Sequence, residues 1–341
     1  MKVVIPVGDL HIGGGCKVLV QIANTLYSKG HDTEVVIPKS GTIKYDIQGR
    51  LTVVPVLSKE YIPYGDIILP NFYTTFSPAF AAWPKQCVRL SLGFEPLWVP
   101  NPQDALSTYV NQVPIISISK WLDEQIQQNT QLRSTVVNLG VDPNTFYYIP
   151  ISTKYRLDAS RPKVILYIAR DPKAGYRFKG YEEFVECMKM VNHWYPGQFV
   201  VHMICPANEL TLPDIPCKTF FPRSDQEMAG LYRSADLFVS TSWFEAFALP
   251  PLEAMACGTP VVATNSGGIM DYAVEGENAI IVPPKDPKSL ATAIVALLSN
   301  PELAKTLSHG GLKQARRFTL ARFQRKMTET LENLYIERRN Q

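Results

Sequence analysis

Apolar runs alternate with glycine-rich and polar stretches along the chain, at a spacing typical of parallel α/β proteins. The chain opens with a β-prone run at 3–7, a glycine loop at 13–15 and apolar residues at helical spacing from 16 to 28. Gly30 is placed to cap that helix, and an apolar strand resumes at 34–37. This βαβ pattern predicts a parallel sheet. Further strands are predicted at 51–56, 66–69, 88–92 and 114–118, and a helix at 120–128.

The same rhythm starts again after residue 150. The stretch 150–162 is polar, carries a proline at each end and has no clear period, so it is predicted to be a linker. An apolar run at 164–169 then begins a second βα series. The later strands are predicted at 199–204, 237–241, 259–263 and 279–282, and the helices at 181–194, 226–234, 250–257, 289–299, 301–316 and 320–338.

The pattern therefore predicts two consecutive doubly wound, Rossmann-like α/β domains, at 1–155 and 156–318. A length of 341 residues suits two domains of about 150 residues each. Domains of this kind bind ligands beyond the carboxyl ends of their strands, so two facing domains would place a ligand in the cleft.

Composition narrows the class of protein. Hydrophobic residues make up 46% of the chain and charged residues 19%, as in ordinary globular proteins. The net charge is only +3, and no long basic run interleaves with aromatics, which argues against a nucleic-acid partner. The six cysteines lie far apart without a C-x-x-C pair, so free thiols in a reducing cytosol are favoured over disulfides or a zinc site.

The apolar segments of the sequence also agree with a protein of the reducing cytosol. The first apolar run is too short for the core of a signal peptide, and no window of about 20 apolar residues occurs. We therefore expect a cytoplasmic protein. Basic residues cluster between 313 and 326; a solvated helix face is the favoured interpretation, and contact with anionic lipid at the inner membrane face is the alternative.

The segment 242–262 carries the strongest chemical signal. An apolar strand leads into a loop that contains Glu245 and then into a helix predicted to start at Pro250, where a missing N–H leaves nothing unsatisfied. Glu253 is predicted to lie near the amino end of this helix, where free N–H groups and the helix dipole suit a phosphate-bearing ligand. Both carboxylates could accept hydrogen bonds from sugar hydroxyls. For Glu253, an acid that merely favours the dipole stays an alternative.

Taken together, these residues resemble the E-x7-E signature of retaining glycosyltransferases of the GT-B fold, glycosyltransferase family 4. The likeness covers nearly the whole chain and implies two Rossmann-like domains facing across a cleft. It also implies that residues 319–341 form a helix that crosses back to the amino-terminal, acceptor-side domain, and that the second domain binds the nucleotide-sugar. The other matching segments are 13–15, 30–35, 138–142 and 265–268.

The resemblance implies roles for residues of the E-x7-E segment. Glu245 would face the donor sugar and Glu253 would bind the donor ribose. The backbone of Phe247, Ala248 and Leu249 would lie against the diphosphate and the sugar. Ala248 departs from the family, which usually has glycine there; its Cβ narrows the approach to the ligand and disfavours a positive φ.

Arg170 directly follows the strand at 164–169 and is followed by Lys179. Fixed positive charges at this point would stabilise the negative charge that develops on a departing diphosphate. The family places these two cations closer together; four extra residues intervene here, so Lys173 or Arg177 stays open as a substitute for Lys179. Ordinary surface charge on a βα loop is the alternative interpretation.

The first domain offers weaker signals. The backbone N–H groups of Gly14 and Gly15 are candidates to meet a phosphate or the acceptor, with a tight turn without ligand as the alternative. His11 is either a base or a loop residue. Many relatives have a histidine near the reacting carbon, but the matching stretch 88–96 has none. Glu95 in that stretch could bind the acceptor, act as a base or cap the following loop.

The nucleobase is expected near Pro222, within the aromatic stretch 220–223, because family relatives bind it there. A helix with a capping box is predicted to begin directly afterwards, at 224–227.

These residues lead to one functional hypothesis and two alternatives. The hypothesis is a retaining transferase that moves a hexose-type sugar from a nucleotide-diphosphate-sugar to a glycan, lipid or small-molecule acceptor. By resemblance, it would use a front-face displacement. No cofactor or metal is expected, since the chain lacks an acidic D-x-D motif beside the nucleotide site and cationic side chains would do the metal's work. The alternatives are an inactive nucleotide-sugar-binding protein and a nucleotide-sugar epimerase.

Overall fold

The computed structural model describes residues 1–150, 161–205 and 209–340, and the chain divides into two compact units. The first unit comprises Met1–Leu139 and Ala321–Gln341, and the second comprises Gly140–Leu320. The predicted boundary at 155 therefore differs from the division in the structure. Residues after Leu139 join the second unit because Val141 donates its N–H to the carbonyl of Phe318 (3.0 Å) and accepts from the N–H of Leu320 (2.8 Å). Most of the predicted linker lies outside the described residues.

The first unit is built on parallel strands. Their bounds are β1 Lys2–Pro6, β2 Asp32–Pro38, β3 Arg50–Val54, β4 Ile67–Ile68, β5 Arg89–Ser91, β6 Ile115–Ser117 and β7 Thr135–Val136. They form two ladders, in the orders β3-β2-β1-β4 and β5-β6-β7. Hydrogen bonds from Val88 N–H to the Ile68 carbonyl (2.9 Å) and from Leu90 N–H to the Pro70 carbonyl (3.0 Å) join the ladders side by side. The parallel sheet predicted from the βα rhythm is confirmed.

Four helices flank these strands. They are α1 Gly14–Ser28, α2 Tyr73–Ala82, α3 Pro102–Ser107 and α4 Lys120–Thr130. In α1 the apolar residues recur at helical spacing and are buried, among them Val18, Ile22 and Leu26, which explains why this segment packs as a helix. The side chain of Ser119 accepts a hydrogen bond from Leu122 N–H (3.0 Å) and caps α4 at its predicted start. Neither α2 nor α3 was predicted from the apolar pattern.

The described residues of the second unit form a six-stranded parallel sheet. Its strands are β8 Lys163–Ile168, β9 Phe199–Ile204, β10 Cys217–Phe220, β11 Leu237–Ser240, β12 Val261–Thr264 and β13 Ile280–Val282. Their order is β10-β9-β8-β11-β12-β13. The chain runs outward from β8 to β10 and then returns to the other side of β8 with β11. The strand order therefore reverses between β8 and β11, and ligands of doubly wound sheets bind at the carboxyl ends of such a switch point.

The helices of the second unit cover this sheet. They are α5 Tyr181–Trp194, α6 Asp225–Ser234, α7 Leu249–Ala256, α8 Pro287–Leu298 and α9 Pro301–Ala315. The core includes Phe184 of α5, Val201 and Val239 of the sheet, and Ile294 of α8, all fully buried. Two short 3-10 turns, Pro172–Ala174 and Arg177–Lys179, lie between β8 and α5.

The last helix, α10 Leu320–Asn340, belongs to the first unit from Ala321 onward. Arg338 donates hydrogen bonds to the carbonyls of Gln86 and Cys87, both at 2.9 Å. His31 Nε2 lies 3.0 Å from Glu332 Oε1. The chain therefore leaves the first unit, completes the second and returns.

The state of the cysteines and the hydropathy of the helices relate to the predicted location of the protein. All six cysteines are free, and four of them are buried. Burial raises the pKa of the Cys87 thiol to about 12, which keeps it protonated and unreactive. Among the described residues, no helix is both long enough and apolar enough to cross a bilayer.

Candidate active site

The switch point of the second sheet carries the predicted chemical residues. Arg170 and Lys179 follow β8, and Glu245 follows β11, the neighbouring strand. Because parallel strands end at the same edge of a sheet, these loops emerge side by side.

Lys179, Glu245 and Ser242 form a compact polar cluster at this edge. The Lys179 ammonium lies 2.6 Å from Glu245 Oε1, and the Ser242 hydroxyl donates to the same oxygen at 2.7 Å. The lysine and glutamate side chains are 25% and 21% exposed, so the pair is reachable from solvent. The cluster brings a cation and a carboxylate together where a ligand can meet both.

Several contacts fasten the loop of Lys179 to the loop of Glu245. Thr241 Oγ1 donates to the Lys179 carbonyl (2.8 Å), and Trp243 N–H donates to the Phe178 carbonyl (2.8 Å). The rings of Phe178 and Phe244 stack at 4.8 Å between centroids. Gly180 has a φ of +73°, and a Cβ there would lie 2.1 Å from the Thr241 carbonyl oxygen. Only glycine allows this approach of the two backbones.

The backbone of Glu245 is also held from the other side. Its N–H donates to the Ser266 carbonyl (2.7 Å), and its carbonyl accepts from Gly268 N–H (2.9 Å). The loop that carries Glu245 is therefore bonded on both flanks and presents its carboxylate from a fixed backbone.

The start of α7 differs in detail from the prediction. The helix begins at Leu249, and its second and third residues are prolines, so Leu249 is the only one of the first three with an N–H group. The pKa of the buried Tyr272 hydroxyl is raised, chiefly by burial, and that hydroxyl donates to the Ala248 carbonyl directly before the helix. This end of α7 therefore offers fewer free amides than the sequence suggested.

Ala248 adopts the left-handed conformation that the sequence analysis considered unfavourable for it. Its φ is +63° and its ψ is +67°, directly before α7. The neighbouring Phe247 is buried, and its ring lies 5.4 Å from that of Tyr272. The backbone turn usual for glycine is thus kept here with an alanine, at some cost in strain.

Glu253 is the fifth residue of α7, just past the first turn of the helix. Tyr232 donates its hydroxyl to Glu253 Oε2 at 2.9 Å. Burial and the charge of Glu253 raise the pKa of Tyr232 well above its usual range, so this donor stays protonated. Tyr232 thereby fixes one oxygen of the carboxylate expected to meet the donor ribose.

The cations after β8 differ in their surroundings. Lys179 contacts Glu245, whereas Lys173 is exposed, and Arg177 is exposed and pairs with Glu182 at 3.3 Å. Arg170 is half-buried, with its guanidinium carbon 5.6 Å from the centre of the Tyr176 ring. Lys179 is therefore better placed beside Glu245 than either substitute.

Pro222 is half-buried and follows β10, next to an exposed Phe221. Ser224 accepts from Glu227 N–H (3.2 Å), which is one half of the predicted capping box. The Glu227 carboxylate accepts from Arg223 N–H (2.8 Å) rather than from Ser224 N–H. The helix starts as predicted, and in the stretch before it Phe221 and Arg223 are exposed while Phe220 and Pro222 are half-buried.

The glycine loop of the first unit is open. Gly14 and Gly15 are exposed at the start of α1, while Gly13 N–H donates to the Tyr45 hydroxyl at 3.0 Å. His11 is exposed, with Nδ1 3.7 Å from an oxygen of Asp9. The amides of the two exposed glycines are accessible, and nothing in these contacts gives His11 the fixed orientation typical of a catalytic base.

Glu95 lies in the interior of the first unit, contrary to the expectation of a residue that meets the acceptor. It is 1% exposed. Arg89 donates to its Oε1 at 2.5 Å and Tyr109 to its Oε2 at 2.5 Å. Burial and the nearby Glu95 raise the pKa of Tyr109. Both carboxylate oxygens are engaged, so Glu95 fastens the loop after β5 instead of presenting a base to solvent.

Ser242, Thr241 and Tyr272 were missed by the sequence analysis. Their hydroxyls act on the backbone or on another side chain, so no charge or motif marks them. For Ser242 a signal existed, because it lies three residues before the glutamate that it contacts.

Comparison with known proteins places this geometry in a class. The family model described as Glycosyl transferases group 1 matches residues 210–314, which include Pro222, Glu245 and Glu253. A D-inositol 3-phosphate glycosyltransferase of Thermobispora bispora is 38% identical over 133 residues, or 38% of this chain and 31% of that protein. One of Corynebacterium jeikeium is 30% identical over 192 residues, or 52% of this chain and 44% of that protein. The matches thus span less than half the length of these relatives.

Solved structures match over almost the entire chain. A sucrose-phosphate synthase from Thermosynechococcus elongatus has a TM-score of 0.79 at 20% identity, covering 98% of this chain and 99% of that one. Anabaena Alr3699/HepE in complex with UDP-glucose has a TM-score of 0.78 at 19% identity, covering 98% and 100%. With two parallel-sheet α/β units, the protein has the GT-B fold, and the predicted fold class is confirmed.

Proposed function

We propose that this protein is a retaining glycosyltransferase of family 4 that takes a hexose-type sugar from a nucleotide-diphosphate-sugar. The observation that carries the proposal is the Lys179–Glu245 pair at the switch point of the second sheet. It lies where doubly wound domains bind ligands, and Glu245 falls in the segment that matches the group 1 glycosyltransferases. A cation for phosphate and a carboxylate for sugar hydroxyls stand next to each other there.

In the proposed reaction the bond between the sugar and the diphosphate breaks, and negative charge moves onto the departing phosphate. Arg170, Lys179 and the amide of Leu249 would stabilise that charge. Preorganised donors aimed at developing charge are among the largest contributors to catalysis. Glu245 would orient the sugar, Glu253 the ribose, and the stretch at Pro222 the nucleobase.

The acceptor would attack from the face that the diphosphate leaves, and the departing phosphate would take its proton. This front-face displacement retains the anomeric configuration and needs no covalent nucleophile. The fixed cations after β8 would serve the role of a metal ion, so turnover should persist with chelator. The acceptor is a glycan, a lipid or a small molecule, and we place the reaction in the cytoplasm, with contact to the membrane surface left open.

The test begins with binding. A panel of nucleotide-sugars, headed by UDP-glucose, is screened for a rise in the melting temperature, because a ligand that binds only the native state stabilises it. Slow hydrolysis of the bound donor is then measured, with and without chelator. We expect one nucleotide-sugar to stabilise the protein and to be hydrolysed.

Variants separate this proposal from its alternatives. Glu245→Ala should abolish hydrolysis and retain nucleotide binding, which should be at least as tight as in the unaltered protein because the charge that competes for Lys179 is gone. Glu182→Ala, which removes an exposed carboxylate, should change neither hydrolysis nor binding. Binding without turnover in the unaltered protein would indicate an inactive binding protein, which the left-handed Ala248 in place of glycine favours slightly. Conversion of the donor into another nucleotide-sugar would indicate an epimerase.

A further inference from the structure

Two hydrogen-bond donors, one flexible and one buried, contact the same oxygen of Glu245. Lys179 reaches Oε1 with a long, flexible side chain that is 25% exposed. Ser242 reaches it with a hydroxyl from a residue that is 4% exposed. Among the residues that the structure describes, no hydrogen bond to the other oxygen, Oε2, is formed. The Lys179 ammonium can therefore move away from Glu245 Oε1, whereas the Ser242 hydroxyl is held beside it.

The backbone of Ser242 is fixed independently of Glu245. Its carbonyl accepts from Thr264 Oγ1 at 2.5 Å, which ties it to the end of β12. The residue before it, Thr241, bonds to the Lys179 carbonyl, and the residue after it, Trp243, bonds to the Phe178 carbonyl. A serine hydroxyl moves only by rotation about the Cα–Cβ bond, among three staggered positions, and the burial of Ser242 restricts that rotation further.

Binding of the nucleotide-sugar changes the contacts of Lys179 and leaves those of Ser242 unchanged. In the proposed function, the Lys179 ammonium must bind the diphosphate, which carries more negative charge than one carboxylate. It then gives up part or all of its contact with Glu245. A carboxylate that loses its charge partner is free to rotate, and precise orientation of the sugar is lost with it.

We propose that Ser242 is a positioning residue, whose hydroxyl holds Glu245 Oε1 in place while Lys179 exchanges the carboxylate for the diphosphate of the donor. The inference rests on the proposed function for its purpose, and on the shared oxygen for its geometry. Glu245 Oε2 thereby keeps pointing at the sugar throughout the exchange. Ser242 itself does not contact the reacting atoms.

The geometry can be tested without any ligand, by imitating the departure of the ammonium. Lys179→Met removes the charge and keeps an unbranched side chain. In a crystal structure of Lys179→Met, we expect Glu245 Oε1 to stay within hydrogen-bond distance of the Ser242 hydroxyl. In the double variant Lys179→Met with Ser242→Ala, we expect the carboxylate to leave that position. A carboxylate that keeps its place in the double variant would overturn the inference, whatever the protein binds.

The functional arm compares UDP with UDP-glucose. Ser242→Ala should bind UDP within about twofold of the unaltered protein, because the diphosphate contacts remain. The gain in affinity that the glucose provides, and kcat for donor hydrolysis, should both fall about tenfold, the size expected for one lost hydrogen bond to a charged group. Because hydrolysis is slow, the KM for UDP-glucose should follow its Kd and rise by a similar factor.

Ser308→Ala is the matched control. Ser308 is 6% exposed and donates one hydrogen bond, to the Gly258 carbonyl at 2.7 Å, so the same atoms and a similar contact are lost. It should leave kcat and the glucose-dependent gain unchanged. Equal losses for UDP and UDP-glucose in Ser242→Ala, or the same loss in Ser308→Ala, would show a general structural effect and refute the positioning role. Failure of the unaltered protein to bind any nucleotide-sugar would refute the proposed function, and the ligand-free crystal structures would still decide the inference.

Discussion

Removing the charge of Glu245 should tighten the binding of a bare nucleoside diphosphate. In the ligand-free protein the Lys179 ammonium is bound to Glu245 Oε1 at 2.6 Å. A diphosphate must compete with that carboxylate for the ammonium. Glu245→Gln keeps the size of the side chain and removes the competing charge, so Lys179 becomes available to the phosphate.

The size of the effect follows from the exposure of the pair. Fully exposed ion pairs contribute up to about 1 kcal/mol, and hydrogen bonds to charged groups about 1.5–3 kcal/mol. With both side chains roughly a quarter exposed, the pair falls between these limits, and screening by solvent keeps it near the lower one. About 1.4 kcal/mol corresponds to a tenfold change in Kd. We therefore expect UDP to bind about tenfold more tightly to Glu245→Gln.

Isothermal titration calorimetry with UDP measures this directly, at low and high salt. The gain should shrink as salt rises, since added ions screen the pair. Lys179→Met combined with Glu245→Gln should lose the gain, and Glu182→Gln, which removes a carboxylate paired with Arg177, should not produce it. UDP-glucose should not share the gain in full, because the sugar loses its carboxylate partner. Unchanged UDP affinity in Glu245→Gln, or a gain that survives without Lys179, would refute the competition.

Four further predictions concern the stability of the two units. Ala248→Gly should raise the free energy of unfolding by up to about 1 kcal/mol in urea denaturation, because φ is +63° there; a loss would show that the turn is unstrained. Gly180→Ala should lower it by more than about 1 kcal/mol and weaken UDP binding, since the new Cβ would meet the Thr241 carbonyl oxygen; a neutral result would mean that the two loops separate freely. Glu95→Gln should lower the free energy of unfolding by about 3–5 kcal/mol, because it breaks the buried ion pair with Arg89, and should leave UDP affinity unchanged. A variant with full stability but no sugar transfer would instead indicate that Glu95 acts on the acceptor. Burial alone would raise the pKa of Asp123, but hydrogen bonds from Ser134 and Arg133 outweigh burial and lower that pKa. The contribution of Asp123 to the free energy of unfolding is therefore present above about pH 4 and is lost as the pH falls through the lowered pKa. Asp123→Asn should flatten the acidic part of the plot of stability against pH, and an unchanged plot would contradict the assignment.

Much of the second unit could be predicted because its local signals agree with its fold. Each buried strand is a short apolar run, and proline at the start and glycine at the end bound α7. Once the strand order is known, Glu245 can be placed at the switch point because its loop follows β11. Periodicity and turn chemistry are local properties, and they survive folding largely unchanged.

Burial and pairing could not be predicted, because they depend on residues far apart in sequence. Glu95 looked like an acceptor-side acid until Tyr109 and Arg89 were seen to enclose it. The left-handed conformation of Ala248 contradicts the local preference of alanine, and the carbonyl contact from Tyr272 helps to hold it. At Ala248, beside the candidate site, a tertiary contact therefore overrides the local propensity.

The spacing between Arg170 and Lys179 shows why sequence distance is a poor guide to position in a loop. The intervening residues fold back in two 3-10 turns, each followed by a glycine with positive φ, Gly175 at +87° and Gly180 at +73°. Asp171 caps the first turn by accepting from Lys173 N–H at 2.9 Å. The extra residues are therefore absorbed locally, and the contacts of Phe178 and Lys179 with the 241–243 segment set where the ammonium lies. A loop that is fastened at its far end can gain or lose a turn without moving its functional residue, so the position of Lys179 depends on that attachment rather than on the length of the loop.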